Sequence, residues 1–262
     1  MSLTGKTLAN TYKDLLKVDN SNNGVDSTGR RITDGQGNNS CVQISDDTLK
    51  ITPQNDNTTT TLVVTNSSNS ALLTVDSTNS TVNALGNKVN TQYATFSIGN
   101  TEASTLADDT HQAIPFASAS FGTKNYPPAF GTGTDPATTF TTSDGNATRA
   151  SDLVPCLWYV MDDISIDSVI SIEGADNATG DTTRMHLFSY DFTSGSTSAL
   201  SNGTLLAHNN DVTNAGSEQA YTGSWTVDSA AVSSGKVILA FFRSDTINSD
   251  YSLQLTVKYH LT

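Results

Sequence analysis

Lys236–Thr262 reads KVILAFFRSDTINSDYSLQLTVKYHLT and decides the fold. From Tyr251 to Leu261 the odd positions are Tyr251, Leu253, Leu255, Val257, Tyr259 and Leu261, and the even ones Ser252, Gln254, Thr256, Lys258 and His260. Strict period-two alternation marks a strand with one buried and one wetter face. Val237–Phe242 is different, an unbroken apolar run. Such a strand is covered on both faces. A β-sandwich covers one face of each strand, so the other face needs cover from elsewhere. A second copy of the chain is the simplest source. The run therefore predicts an oligomer, with Val237, Leu239, Phe241 and Phe242 divided between its interface and the core.

Upstream, further strands are expected at Ala113–Phe121, Thr139–Thr142, Val154–Val160, Ile164–Glu173, Arg184–Phe192, Thr204–His208 and Tyr221–Val227. Regular spacing with turn-rich connections predicts a β-sandwich, jelly-roll-like, over residues 113–262. Residues 101–112 read as a linker. Residues 41–100 hold shorter strands: Cys41–Ile44, Leu49–Ile51, Leu62–Thr65, Ala71–Val75, Val82–Leu85 and Tyr93–Ile98. VQISDD (Val42–Asp47) and LTVDST (Leu73–Thr78) form a weak internal repeat. Strands this short do not make a stable core alone. They predict a stalk intertwined with strands of other copies. The expected fold class is thus mostly β: a short N-terminal helix, a short-strand stalk and a sandwich head, as an oligomer.

The helix is expected over residues 3–18, LTGKTLANTYKDLLKV. Leu8, Tyr12, Leu15 and Leu16 follow the spacing i, i+4, i+7, i+8. Thr4 can cap it, with Leu3 and Leu8 at the hydrophobic-staple positions. An amphipathic helix at a terminus must pack on the body or on a partner, and if residues 1–40 dock on a partner these four residues are the candidate anchor.

The charge is uneven. The chain has 13 basic and 26 acidic residues; residues 1–40 hold five and four of them, leaving eight and 22, a net of −14, for the rest. An acidic body argues against nucleic acid or an anionic membrane surface as a partner. Only Glu102, Glu173 and Glu218 are glutamates, and an Asp-rich acidic set favours turns over helices. The two cysteines, Cys41 and Cys156, read as buried thiols. No signal peptide and no stretch long enough for membrane insertion is read, which implies assembly in a cytoplasm.

Chemistry is sparse. Asp19, Ser21, Asn23 and Gly24 match the start of an EF-hand loop, but Arg30 stands where the bidentate Glu belongs and would repel Ca²⁺. His111, His186, His208 and His260 show no zinc spacing and read as surface or interface residues. No nucleophile elbow, P-loop or dinucleotide fingerprint is present. Asp162 and Asp163 are neighbours and point to opposite faces of any strand, so they make no catalytic pair there. The sequence thus predicts no enzyme, no cofactor and no metal. Tyr126, in a Tyr-Pro-Pro loop, and Trp225 are the candidate ligand contacts, as sugar-stacking aromatics.

Gly5–Ser40 (GKTLANTYKDLLKVDNSNNGVDSTGRRITDGQGNNS) resembles the N-terminal segment of virion structural proteins of tailed phages infecting marine and freshwater bacteria. HLFSYDF (His186–Phe192), AGSEQAYTGSWTV (Ala215–Val227) and the last hairpin (Ser234–Leu261) are similar to the terminal domain of the same group. The resemblance implies a non-enzymatic trimeric fibre or decoration in the virion. Its N-terminus would hold other capsid or tail proteins, and its head would be exposed for host attachment. A carbohydrate-binding adhesin module acting on host surface glycan is the alternative, and a capsule depolymerase a weaker one.

Overall fold

The computed structural model describes residues 15–21, 23–101, 107–116, 128–143, 149–176, 178–246 and 250–262. It is 53% strand and 3% helix, so the chain is mostly β. It divides into two compact units, Met1–Val89 and Asn90–Thr262.

The first unit holds two antiparallel meanders. One runs β1 (Lys17–Val18), β2 (Arg30–Thr33), β3 (Asn39–Ile44), β4 (Leu49–Ile51), and the other β5 (Leu62–Thr65), β6 (Ala71–Asp76), β7 (Thr81–Ala84), β8 (Asn87–Lys88), each in sequential order. Asp and Asn side chains build the turns, because a short polar group can accept hydrogen bonds from amides just ahead of it. Asp34 Oδ1 accepts from the amides of Gln36 and Asn38. Asn66 Oδ1 accepts from those of Ser68 and Ser70, and Asp76 Oδ1 from those of Thr78 and Asn79. These bonds, with that of the Asn79 side chain to Asp76, hold the Asp76 carboxyl below its usual range. The weak repeat is real in three dimensions: Val42 and Ile44 pair with Ile51 and Leu49, as Leu73 and Val75 pair with Ala84 and Val82.

Lys17–Val18 is a strand paired with Ile32–Thr33, so the helix expected to run through residue 18 does not reach it. Leu8 and Tyr12 lie outside the described residues.

The second unit is built on two sheets. A five-stranded sheet has the order β16 (Glu218–Gly223), β12 (Ile164–Asp176), β20 (Asp250–Leu261), β9 (Thr91–Thr101), with β18 (Ala231–Val232) also on β12. A seven-stranded sheet has the order β10 (Gln112–Ile114), β19 (Lys236–Ser244), β13 (Thr182–Phe192), β14 (Leu200–Asn209), β17 (Trp225–Val227), with β11 (Trp158–Tyr159) on β19 and β15 (Val212–Thr213) on β13. Tyr93–Ile98, placed in the stalk by the sequence reading, lies within β9, which belongs to this unit and pairs along β20. The strand expected from Val154 begins instead as a helical turn, Val154–Cys156, where Pro155 fits a first-turn position.

The two sheets face each other across one core. The alternation of β20 puts Tyr251, Leu253, Leu255 and Val257 into it, against Ile238, Ala240 and Phe242 of β19 and Met185 and Leu187 of β13. The other face of β19 presents Val237, Leu239 and Phe241 to a second core with Phe130, Phe140, Leu153, Cys156, Phe188 and Tyr190. The doubly buried run is therefore covered on both sides by its own chain. Val237, Leu239, Phe241 and Phe242 are at most 3% exposed within one protomer. They are core, and the argument that this strand needs a second copy falls away.

The second core is tight enough to dictate a glycine. A Cβ at Gly203 would lie 2.6 Å from Cε1 of Tyr190 and 2.8 Å from Cα of Thr138, whereas one at Gly174 would meet nothing within 4 Å. Gly203→Ala is expected to cost about 1–3 kcal/mol through overpacking, and Gly174→Ala nothing measurable. Thermal melts of the two variants check this; equal midpoints would count against it.

Candidate functional site

Of the two expected ligand contacts the structure describes one. Tyr126 lies outside the described residues. Trp225 is half-buried against the sandwich core, and its indole N–H donates to Ser171 Oγ at 2.8 Å. Leu15 and Leu16 are 45% and 74% exposed, just ahead of β1.

Cys156 is buried, its thiol donating toward the carbonyls of Ala113 and Asp152, but Cys41 is exposed, contrary to the pair of buried thiols expected. Asp163 acts as a turn residue, accepting from the Ser234 amide at 2.8 Å. Among the described residues no group of three or more His, Cys, Asp or Glu side chains is placed to hold a metal ion, and no helix is long and apolar enough to cross a membrane.

Three polar features stand out. At one end of the five-stranded sheet Asp176, Glu218 and Asp250 line a shallow groove with Ser252. A hydrogen bond to Asp176, and its charge, hold Glu218 above the usual carboxylate range. Inside the sandwich, Glu173 is 2% exposed and both its oxygens lie 2.9 Å from the Thr183 hydroxyl. Burial pushes its carboxyl up to about 7, against the opposing effect of that hydroxyl. In the second core His111 and His186 are almost fully buried, their rings edge to face with centroids 4.9 Å apart. They are not the surface histidines the sequence suggested. His260 is also buried, 3.0 Å from Asp167. The inward position of Glu173 was not legible: Ile164, Ile166, Ile170 and Ile172 share one parity, but a register shift between Ile166 and Ser168 turns Ile170 and Ile172 outward and Glu173 inward. Nor was the histidine pair, because its members are far apart in sequence.

None of these groups joins a nucleophile, a base and an open cleft. The larger unexplained feature is in the first unit. Register places Val42, Ile44, Leu49 and Ile51 on one face of the first meander, and Leu62, Val64, Leu73, Val75, Val82 and Ala84 on one face of the second. Gln43 pairs with Lys50, and Thr74 with Asn83, on the opposite faces. Yet the only buried side chains among the described residues of this unit are Asn20, Thr33 and Asp76, all polar. Leu49 is 67% exposed. Leu85 is 74% exposed and sits at φ 49°, a conformation costly for a bulky residue. Two amphipathic sheets thus present apolar faces on which no side chain is fully buried among the described residues.

A scan against protein-family models gives no match, and neither does a search of curated proteins.

Glu173 predicts a pH dependence. Its folded value is raised above the unfolded one, near 4.5, so its favourable contribution is complete below that value and is lost as pH rises through about 7. The whole effect is about 3 kcal/mol. Glu173→Gln keeps an acceptor for Thr183 and cannot ionise. The wild-type melting midpoint should fall between about pH 4.5 and about pH 7 and level off above that, and that of the variant should hold steady over the same range. Parallel slopes for the two proteins would refute the assignment.

Proposed function

We propose that this chain is a non-enzymatic structural subunit of a phage particle, a homotrimeric fibre or decoration with a jelly-roll-like head. One observation carries the reading: the second unit has two apolar cores, whereas among the described residues of the first no apolar side chain is buried, although its meanders are amphipathic. Small sheets without a buried face are marginal in water. Each apolar side chain brought from water into an interface contributes about 1.5–3 kcal/mol. The apolar faces of the two meanders, meeting their equivalents around a common axis, supply that cover.

The particle setting is supported by the resemblance of Gly5–Ser40 and of the C-terminal motifs to virion structural proteins. In this reading residues 1–40 dock on other virion proteins, and the head points outward toward the host surface. The adhesin alternative has less support, because Trp225 directs its N–H inward to Ser171.

Sedimentation of the intact chain at micromolar concentration is expected to give a trimer. Ile44→Asp combined with Val75→Asp should yield a monomer whose head keeps its near-ultraviolet circular dichroism, since neither residue belongs to either head core. A stable wild-type monomer would sink the reading.

The anchor is tested separately. Deleting residues 1–24 should leave a trimer that no longer incorporates into particles. Wild-type occupancy of the truncated protein on virions would exclude the anchor.

A further inference from the structure

The second core of the head is a layer laid on the outer face of the seven-stranded sheet. Phe188, Tyr190 and Phe241 form its floor, and Phe130 and Phe140 its cover. The sandwich core lies on the other side of the sheet and shares none of these residues. The cover can therefore part from the floor while the sandwich stays folded. It is held by the amide of Phe130 donating to the His111 carbonyl at 2.7 Å, the amide of Gly203 donating to the Thr138 carbonyl at 2.9 Å, and the Tyr190 hydroxyl donating to the Ala137 carbonyl at 2.9 Å.

Two imidazoles sit where cover and sheet meet. His111 Nδ1 is 3.3 Å from the Gly131 carbonyl, which requires a proton on that nitrogen. His186 Nε2 is 3.4 Å from Asp135 Oδ1, which likewise places the proton there. Among the described residues, His111 Nε2 and His186 Nδ1 are buried with no hydrogen-bond partner. A second proton on either ring would thus enter a site with no acceptor for it.

The surroundings repel that proton as well. From β19 comes Arg243, bound to Asp109 at 2.7 Å, and from β13 Arg184, paired with Asp211. From β14 comes His208, opposite His186 in register and 2.8 Å from Asp228. From the cover comes Asp135, the carboxylate that His186 contacts, whose side chain is 56% exposed and so screened by water. The other imidazole of the pair completes the ring of neighbours.

We propose that His111 and His186 form an acid-operated lock: acidification releases the segment 128–140 from the sheet and uncovers the Phe188–Phe241 face, leaving the sandwich folded. Burial first, and then the positive neighbours, hold His111 down to about 4 and His186 down to about 3. An opened layer frees both rings to take protons near the ordinary value of 6.5. The closed state is therefore fully favoured above that value and loses its advantage as pH falls toward the folded values. The Glu173 effect has the opposite sign and resides in the other core.

Hydrogen exchange of the intact protein, corrected for the intrinsic pH dependence of exchange, tests the lock. Protection of the Phe130 and Gly203 amides should fall roughly tenfold per histidine for each pH unit below about 6. The amides of Leu187 and Leu255 should stay protected. In the double variant His111→Asn, His186→Gln, side-chain amides can still donate toward Gly131 and Asp135 but cannot take the proton, and the acid loss should vanish. Wild-type protection of the layer that is the same at about pH 4.5 as at pH 7, or an acid loss unchanged in the variant, would overturn the proposal. Should the variant fail to fold, imidazole resonances of the wild type decide. Rings silent until the layer amides exchange support the lock, and rings titrating normally in the closed protein overturn it.

Discussion

The head depends on one strand having two apolar faces. In β19 the side chains alternate sides, so Phe241 and Phe242, adjacent in sequence, belong to different cores. Ile238, Ala240 and Phe242 close the sandwich against the five-stranded sheet; Val237, Leu239 and Phe241 require a further layer. The edges of the strand recruit it. β10 and β11 pair with one edge, at Ala113↔Phe241 and Trp158↔Ile238, and Phe130, Phe140, Leu153 and Cys156 from the chain between them lie on the outer face. β13 pairs with the other edge and supplies Phe188 and Tyr190 to the same layer.

The first unit lives under the opposite constraint. Its strands run from two to six residues, too short to enclose a core. What defines them is turn chemistry: Asp34, Asn66 and Asp76 each gather the amides of the next few residues and so set where one strand stops and the next begins. Local hydrogen bonds of this kind specify register without burying anything. The result is a pair of well-defined sheets with an apolar face each and no apolar side chain fully buried among the described residues of the unit. This is the physical ground for reading the unit as an assembly element.

Polar groups inside the head occupy a few marked places. Glu173 and Thr183 meet within the sandwich, and His111 and His186 meet in the outer layer. Each buried group gives up solvation and keeps fewer partners than water would provide, so burial moves its titration toward the neutral form. The two cores consequently respond to pH in opposite senses.

The sequence by itself determined the β class, the run and alternation of the last hairpin, the turn-rich short strands and their weak repeat. Those features are local: period-two burial, Asx turns and apolar runs leave their mark within a few residues. It also determined that Val237–Phe242 is buried twice over. What covers the second face was decided by tertiary structure alone, because Phe130, Phe140 and Leu153 reach it only through the pairing of β10 and β11 with β19. The same holds for the histidine pair, whose two members carry no shared spacing, and for Thr91–Thr101, a strand whose place in the head follows from pairing with β20. Periodicity tells a residue which way to face; only the long-range pairing of strands tells it what it will find there.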